Sequence, residues 1–150
     1  MRSRPVVARS GTGERHSMPG LEIEFEITGD ATGGAFAILE FTLGPRRLVP
    51  PHTHVEEDEL SYVVEGEVGF RVGDAVTIAA PGTYVQKPRG IAHTFWNATD
   101  QPARVMELLL PGSAAEGFRG VAVPDRIPNI HSDEWVQELV DRYGVRLIGS

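Results

Sequence analysis

The stretch LEIEFEIT alternates strictly, with Leu21, Ile23, Phe25 and Ile27 on one face and Glu22, Glu24 and Glu26 on the other. A period of two with one wet face is the pattern of an antiparallel strand covering a core on one side. Further short apolar segments follow at 35–43, 60–66, 67–72, 75–80, 83–87, 92–97 and 103–110. Turn signals separate them: Gly29-Asp30, Gly33-Gly34, Gly44-Pro45, Gly66, Gly73-Asp74, Pro81-Gly82, Arg89-Gly90 and Asp100-Gln101-Pro102. Short strands at such even spacing predict an all-β sandwich or barrel. Long helical segments do not alternate with them, which speaks against a doubly wound α/β sheet.

Only the tail changes period. In SDEWVQELVDRYG (132–144), Trp135, Leu139 and Tyr143 recur every four residues. Ser132 is placed to cap the helix, Asp133 and Glu134 suit the positive end of its dipole, and Gly144 can close it. The pattern predicts an amphipathic helix docked on the barrel or on a partner subunit. The expected organisation is an N-terminal arm (1–20), a barrel (21–112), and an irregular Gly- and Pro-rich arm leading into the helix (113–150).

Composition narrows the partners. A chain of 150 residues with 41% apolar content suits one folded domain. A net charge of −7 argues against nucleic acid. No apolar run reaches the about 20 residues of a membrane helix. Cysteine is absent, so disulfide and thiolate chemistry are excluded. The basic start lacks the apolar stretch of a secretory signal, so a cytoplasmic setting is expected. The alternating strand 21–28 offers an edge for pairing, and a homodimer is expected, with the N-terminal segment or the tail helix reaching across.

The chemistry gathers in PPHTHVEEDELSYVVEG (50–66). On a strand, residues two apart point the same way, so His52 and His54 aim two imidazoles in one direction. Pro50 and Pro51 stiffen the approach. Glu56, Glu57 and Asp58 read as the turn, and Glu59 opens the next strand, from which it can swing over the same face. Two imidazoles and a carboxylate suit a divalent transition metal, and His93 in PRGIAHTFWN is the available fourth donor. His16 and His131 lie in polar, loop-like surroundings and are assigned no role.

These residues resemble the cupin superfamily. Its first motif is matched by His52-Thr53-His54, four residues, Glu59, six residues and Gly66; seven residues separate the upstream Gly44 from His52 where the common pattern has five. Its second motif is matched by Gly82, Pro88-Arg89-Gly90, His93 and Asn97. The resemblance covers roughly residues 20–112. It implies a double-stranded β-helix (jelly-roll) barrel with a short C-terminal helix, holding a metal by His52, His54, Glu59 and His93. Asn97 would close a turn through its side chain. Mixed nitrogen and oxygen ligation admits Fe, Mn, Ni, Cu, Co or Zn.

More narrowly, the chain looks like small single-domain bacterial cupins related to quercetin dioxygenase, although Ser61 stands where those usually carry an aromatic residue. The implied function is a dioxygenase-type oxidoreductase acting on a small aromatic or enolic compound, with Glu59 as ligand and proton acceptor. A non-redox isomerase or lyase, and a ligand-binding module without turnover, are the alternatives. Counting by twos from Glu59 puts Ser61 and Val63 in the bore; the same count from His93 puts Phe95 there. Met106 and Leu108 are expected to complete the substrate wall. The opposite register of strand 103–110 would instead admit Glu107 as an acid or base.

Overall fold

A computed structural model of the chain describes residues 4–112 and 133–150. The expected Ser132 cap, His131 and most of the Gly- and Pro-rich arm lie outside the described residues. Two sheets, antiparallel except for the short parallel pair Arg47–Leu48 with Arg146–Leu147, pack face to face as a jelly roll. The first contains β1 (Glu14–Met18), β2 (Leu21–Ile27), β3 (Ala37–Leu43), β5 (Asp58–Glu65), β8 (Tyr84–Lys87) and β10 (Ala103–Leu110), in the order β1-β2-β3-β10-β5-β8. The second contains β4 (Arg47–Leu48), β6 (Val68–Val72), β7 (Ala75–Ala79), β9 (His93–Asn97) and β11 (Arg146–Leu147), in the order β11-β4-β9-β6-β7. A helix, α1 (Asp133–Tyr143), precedes β11. Among the described residues no helix is long and apolar enough to cross a membrane.

The alternation read from the sequence becomes the core. Ile23, Leu39, Phe41, Val63, Phe70, Phe95 and Val105 are buried between the sheets. Phe41 stacks on Phe95 at 5.8 Å between ring centroids, and Phe70 lies 5.9 Å from Phe95. Burying such side chains contributes roughly 1.5–3 kcal/mol each, and this holds the two sheets together.

The edge expected at residues 21–28 is not an edge. Residues 14–18 of the expected arm form β1, which covers β2 from Met18–Leu21 to Glu14–Phe25. The carboxylates on the wet face of β2 are covered too: Arg15 Nη2 lies 2.7 Å from Glu24, and Gly11 N donates to Glu26 at 3.0 Å. Gly11 and residues 14–18 therefore belong to the barrel wall.

The outer face of the second sheet receives the helix. Leu48 and Trp96 form a second apolar cluster with Leu139 and Val145, and Tyr143 lies 4.8 Å from the Trp96 ring. Trp135 does not enter that cluster. It lies under the Arg71 guanidinium at 3.8 Å, and Arg71 also meets Glu138 at 3.1 Å. Gly69 makes room for the indole: a Cβ there would overlap the Trp96 ring. Gly69→Ala is therefore expected to lower stability by about 1–3 kcal/mol, read as a reduced urea midpoint with an unchanged slope.

Candidate metal centre

His52 and His54 occupy the loop between β4 and β5, and that loop is sewn to the start of β9. His52 N donates to His93 O and His93 N to His52 O, both at 2.9 Å, while Gly90 N donates to His54 O at 2.7 Å. Pro50 and Pro51 carry no N–H, so they leave no orphan donor in this tightly held run. The ring centroids of His52 and His93 lie 4.4 Å apart, His52 and His54 4.9 Å, and His54 and His93 5.5 Å. Glu59 reaches in from the start of β5, and one donor atom from each of the four residues lies within 4.8 Å of the others.

Hydrogen bonds fix which ring nitrogens are available. His52 Nδ1 is 2.8 Å from Pro50 O and His93 Nδ1 is 3.1 Å from Ile91 O. A carbonyl only accepts, so each Nδ1 donates and each neutral ring keeps its lone pair on Nε2. Glu57 Oε2 stands 3.4 Å from His54 Nδ1 and orients that ring in the same manner. His93 Nε2 faces Glu59 Oε2 at 3.2 Å and His54 Nε2 faces Glu59 Oε1 at 3.1 Å, so both carboxylate oxygens look onto imidazole nitrogens. His93 Nε2 and Glu59 Oε1 are buried without a hydrogen bond. Buried orphan atoms in a mixed imidazole–carboxylate set are what a divalent transition metal satisfies. The residues fit such an ion.

A second group of charges adjoins this set. Lys87 Nζ lies 3.0 Å from Glu59 Oε2 and 2.8 Å from Glu107 Oε2, and Ser61 Oγ donates to Glu107 Oε1 at 2.6 Å. Glu59, Lys87 and Glu107 are 3%, 1% and 0% exposed. One ammonium cannot neutralise two buried carboxylates, and the asymmetry shows in their titration. Burial works to raise Glu59, but Lys87, His54 and His93 together outweigh it and hold Glu59 well below the usual range. At Glu107 burial wins, with Glu59 adding repulsion, and its carboxyl is raised despite Lys87. Lys87 is raised because Glu107 and Glu59 together overcome burial. Burial, then the neighbouring His93, pushes His52 down to about 3. Burial works to lower His54, but the adjoining Glu59 and then Glu57 outweigh it, and His54 is raised.

Comparison with known proteins bears on the same residues. The Cupin domain model matches residues 39–109, spanning both histidine motifs. The chain is a cupin. It is 33% identical to germin-like protein 9-3 of Oryza sativa subsp. japonica over 68% of this cupin, and it spans 47% of that relative's length. It superposes on KdgF from Halomonas sp. with a TM-score of 0.65 at 16% identity, covering 72% of this chain and 94% of that one. The polyketide cyclase RemF from Streptomyces resistomycificus gives 0.61 at 24%, with 71% and 80% covered. A sugar phosphate isomerase of the cupin superfamily from Silicibacter pomeroyi gives 0.60 at 25%, with 70% and 75% covered. The likenesses below 25% show the fold alone.

Within this cupin the expected wall residues divide. Ser61 faces the bore, but its hydroxyl is engaged by Glu107. Val63 and Phe95 are packed into the hydrophobic core. Met106 and Leu108 point the other way: Ala103, Val105, Glu107 and Leu109 are the buried positions of β10. The register expected for that strand is corrected, and Glu107 enters. Two further residues escaped sequence reasoning. Lys87 falls in the segment 83–87 with no role assigned to it, yet it pairs with Glu59 across the β5–β8 ladder. Glu57 was read as a solvated turn. Asp58, from the same run, holds Arg89 at 2.9 Å.

The depressed His52 gives a sign for acid sensitivity. Its folded value of about 3 lies below the ordinary 6.5, so its contribution to stability is present above pH 6.5 and is lost as pH falls from 6.5 towards 3. Metal-free protein is expected to lose stability through that window, and His52→Gln to flatten this limb in urea titrations at stepped pH.

Proposed function

We propose that this cupin is a metal-dependent enzyme acting on a small, oxygen-bearing, enolisable molecule, with Glu107 as the group that takes or gives a proton. His52, His54, Glu59 and His93 would hold the ion. When bound, the ion supplies a Lewis acid that polarises a substrate oxygen. The observation that carries the reading is the carboxyl of Glu107, raised by burial and oriented by Ser61 and Lys87 on the bore side of β10 beside the ligand set. A carboxyl whose titration is moved towards neutrality is suited to abstract a proton next to a carbonyl and return it elsewhere. Glu59, ionised and committed to the ion, is the poorer proton carrier. This favours an isomerase or lyase.

The dioxygenase reading uses the same four ligands and the same substrate class, and would follow from a redox-active ion. A ligand-binding module would need the ion but not Glu107. One experiment separates the three. Metal content is measured on wild type, His52→Ala, Glu59→Ala and Glu107→Gln, and each loaded protein is mixed with a panel of enols and hydroxyketones in deuterated water. Proton transfer predicts deuterium at substrate carbon in wild type without oxygen uptake, and a loss of about 10²- to 10⁴-fold in Glu107→Gln with full metal content. Oxygen consumption with no exchange selects the dioxygenase; saturable binding without either selects the module. Wild type that takes up no divalent metal sinks all three.

The proposal extends to a homodimer. Strand β7 closes the second sheet as an edge, and its Val76 and Ile78 are 44% and 47% exposed. Light scattering on eluting protein should give twice the chain mass; a monomer mass at all concentrations removes this part.

A further inference from the structure

Lys87 is not one of the expected ligands, yet it is built into the site as firmly as any of them. It stands opposite Glu59 in the β5–β8 ladder, its ammonium lies 5.4 Å from the Phe95 ring centroid, and Glu107 takes one of its hydrogens at 2.8 Å. Its effect on Glu59 is to make the two carboxylate oxygens unlike. Oε2 lies 3.0 Å from Nζ and 3.2 Å from His93 Nε2, while the buried Oε1 faces His54 Nε2, a candidate ligand, at 3.1 Å. A free carboxylate could offer a divalent ion both oxygens; this one has a cation already seated on one of them.

Resting on the metal reading above, we infer that Lys87 is a positioning residue that competes with the ion for Glu59. It holds Oε2, leaves Oε1 as the single oxygen offered, and sets a unit positive charge beside whatever cation binds. Two consequences follow. The barrel can be assembled without metal, because Glu59 has a resident counter-charge in a place where an unpaired carboxylate would be strongly unfavourable. The ion is also held less tightly than three imidazoles and a free carboxylate would hold it, with one fewer protein oxygen around it and correspondingly more room for substrate oxygen.

The test is titration of Co(II) into metal-free wild type, Lys87→Met and the double variant Lys87→Met/Glu107→Gln, followed by calorimetry and by the visible absorption of the bound ion. The double variant removes the buried ion pair as a unit, so it remains informative if the single variant fails to fold. Removing the adjacent positive charge should tighten Co(II) binding by roughly tenfold or more. The visible bands should weaken at the same time, as the second Glu59 oxygen raises the coordination number. Equal or weaker affinity in the folded variants overturns the competition. Tighter binding with unchanged bands supports the charge effect and overturns the single-oxygen role. Wild type that binds no Co(II) is a different failure, that of the metal reading itself.

Discussion

A carboxylate buried among imidazoles and an ammonium is the constraint on which the rest of this molecule turns. Glu59 is 3% exposed, and an ionised carboxylate at that depth is tolerated only with compensating charge on every side that water has left. Three separate parts of the chain converge to provide it: the loop carrying His52 and His54, the first residue of β9, and the last residue of β8. Each is held by backbone before any side chain acts. The two-way bridge between His52 and His93 and the Glu59–Lys87 register are ladder contacts, so the donors are placed by the sheets themselves. That is why a jelly roll can carry such a site with little helix: two sheets closing on each other bring positions far apart in sequence to one point.

Much of this was legible from the chain. Period-two alternation in β2 and β3 names the core directly, because each strand has one face that water reaches less. The spacing of His52, His54, Glu59 and His93 points to the candidate set through its likeness to the cupin motifs, although the two histidines lie in a loop bridged to β9 and not on one strand face. Lys87 was not legible. Lysine is ordinarily a surface residue, and its burial here depends on two carboxylates from other strands, Glu59 and Glu107, which no local pattern announces. Glu57 escaped for the converse reason: an acid in a run of acids reads as solvated unless the neighbouring imidazole is already known to need orienting.

The phase of β10 shows the limit most clearly. Ala103, Val105, Glu107 and Leu109 form one face, Arg104, Met106, Leu108 and Leu110 the other. Each face carries a single charge and otherwise apolar side chains, so hydrophobicity cannot choose between them. The choice is made by neighbours. Opposite Glu107 in one ladder stands Leu39, an inward residue of β3, and in the other stands Ser61, an inward residue of β5. Arg104 meanwhile finds Glu40 at 3.4 Å on the outer face, a partner it would lose in the opposite phase.

The bore chemistry therefore depends on a phase that the strand's own sequence leaves open. With Met106 and Leu108 inside, the same four ligands would look onto an apolar wall, and Lys87 would serve Glu59 alone. With Glu107 inside, the wall holds a carboxyl that Ser61 orients and that burial lifts above its ordinary range, while Lys87 is shared between two acids. The irregularity opposite Arg104–Val105, where pairing steps from Glu65 to Val63 and passes over Val64, brings Val105 against Val63 and so Glu107 against Ser61. A bulge of this kind re-aims the side chains beyond it. The fold and the ligand set are common ground among cupins with different chemistries, so they do not by themselves select a reaction. Beside the four candidate ligands this chain places Ser61, Lys87 and Glu107, and it is one skipped residue in β5 that brings Ser61 against Glu107.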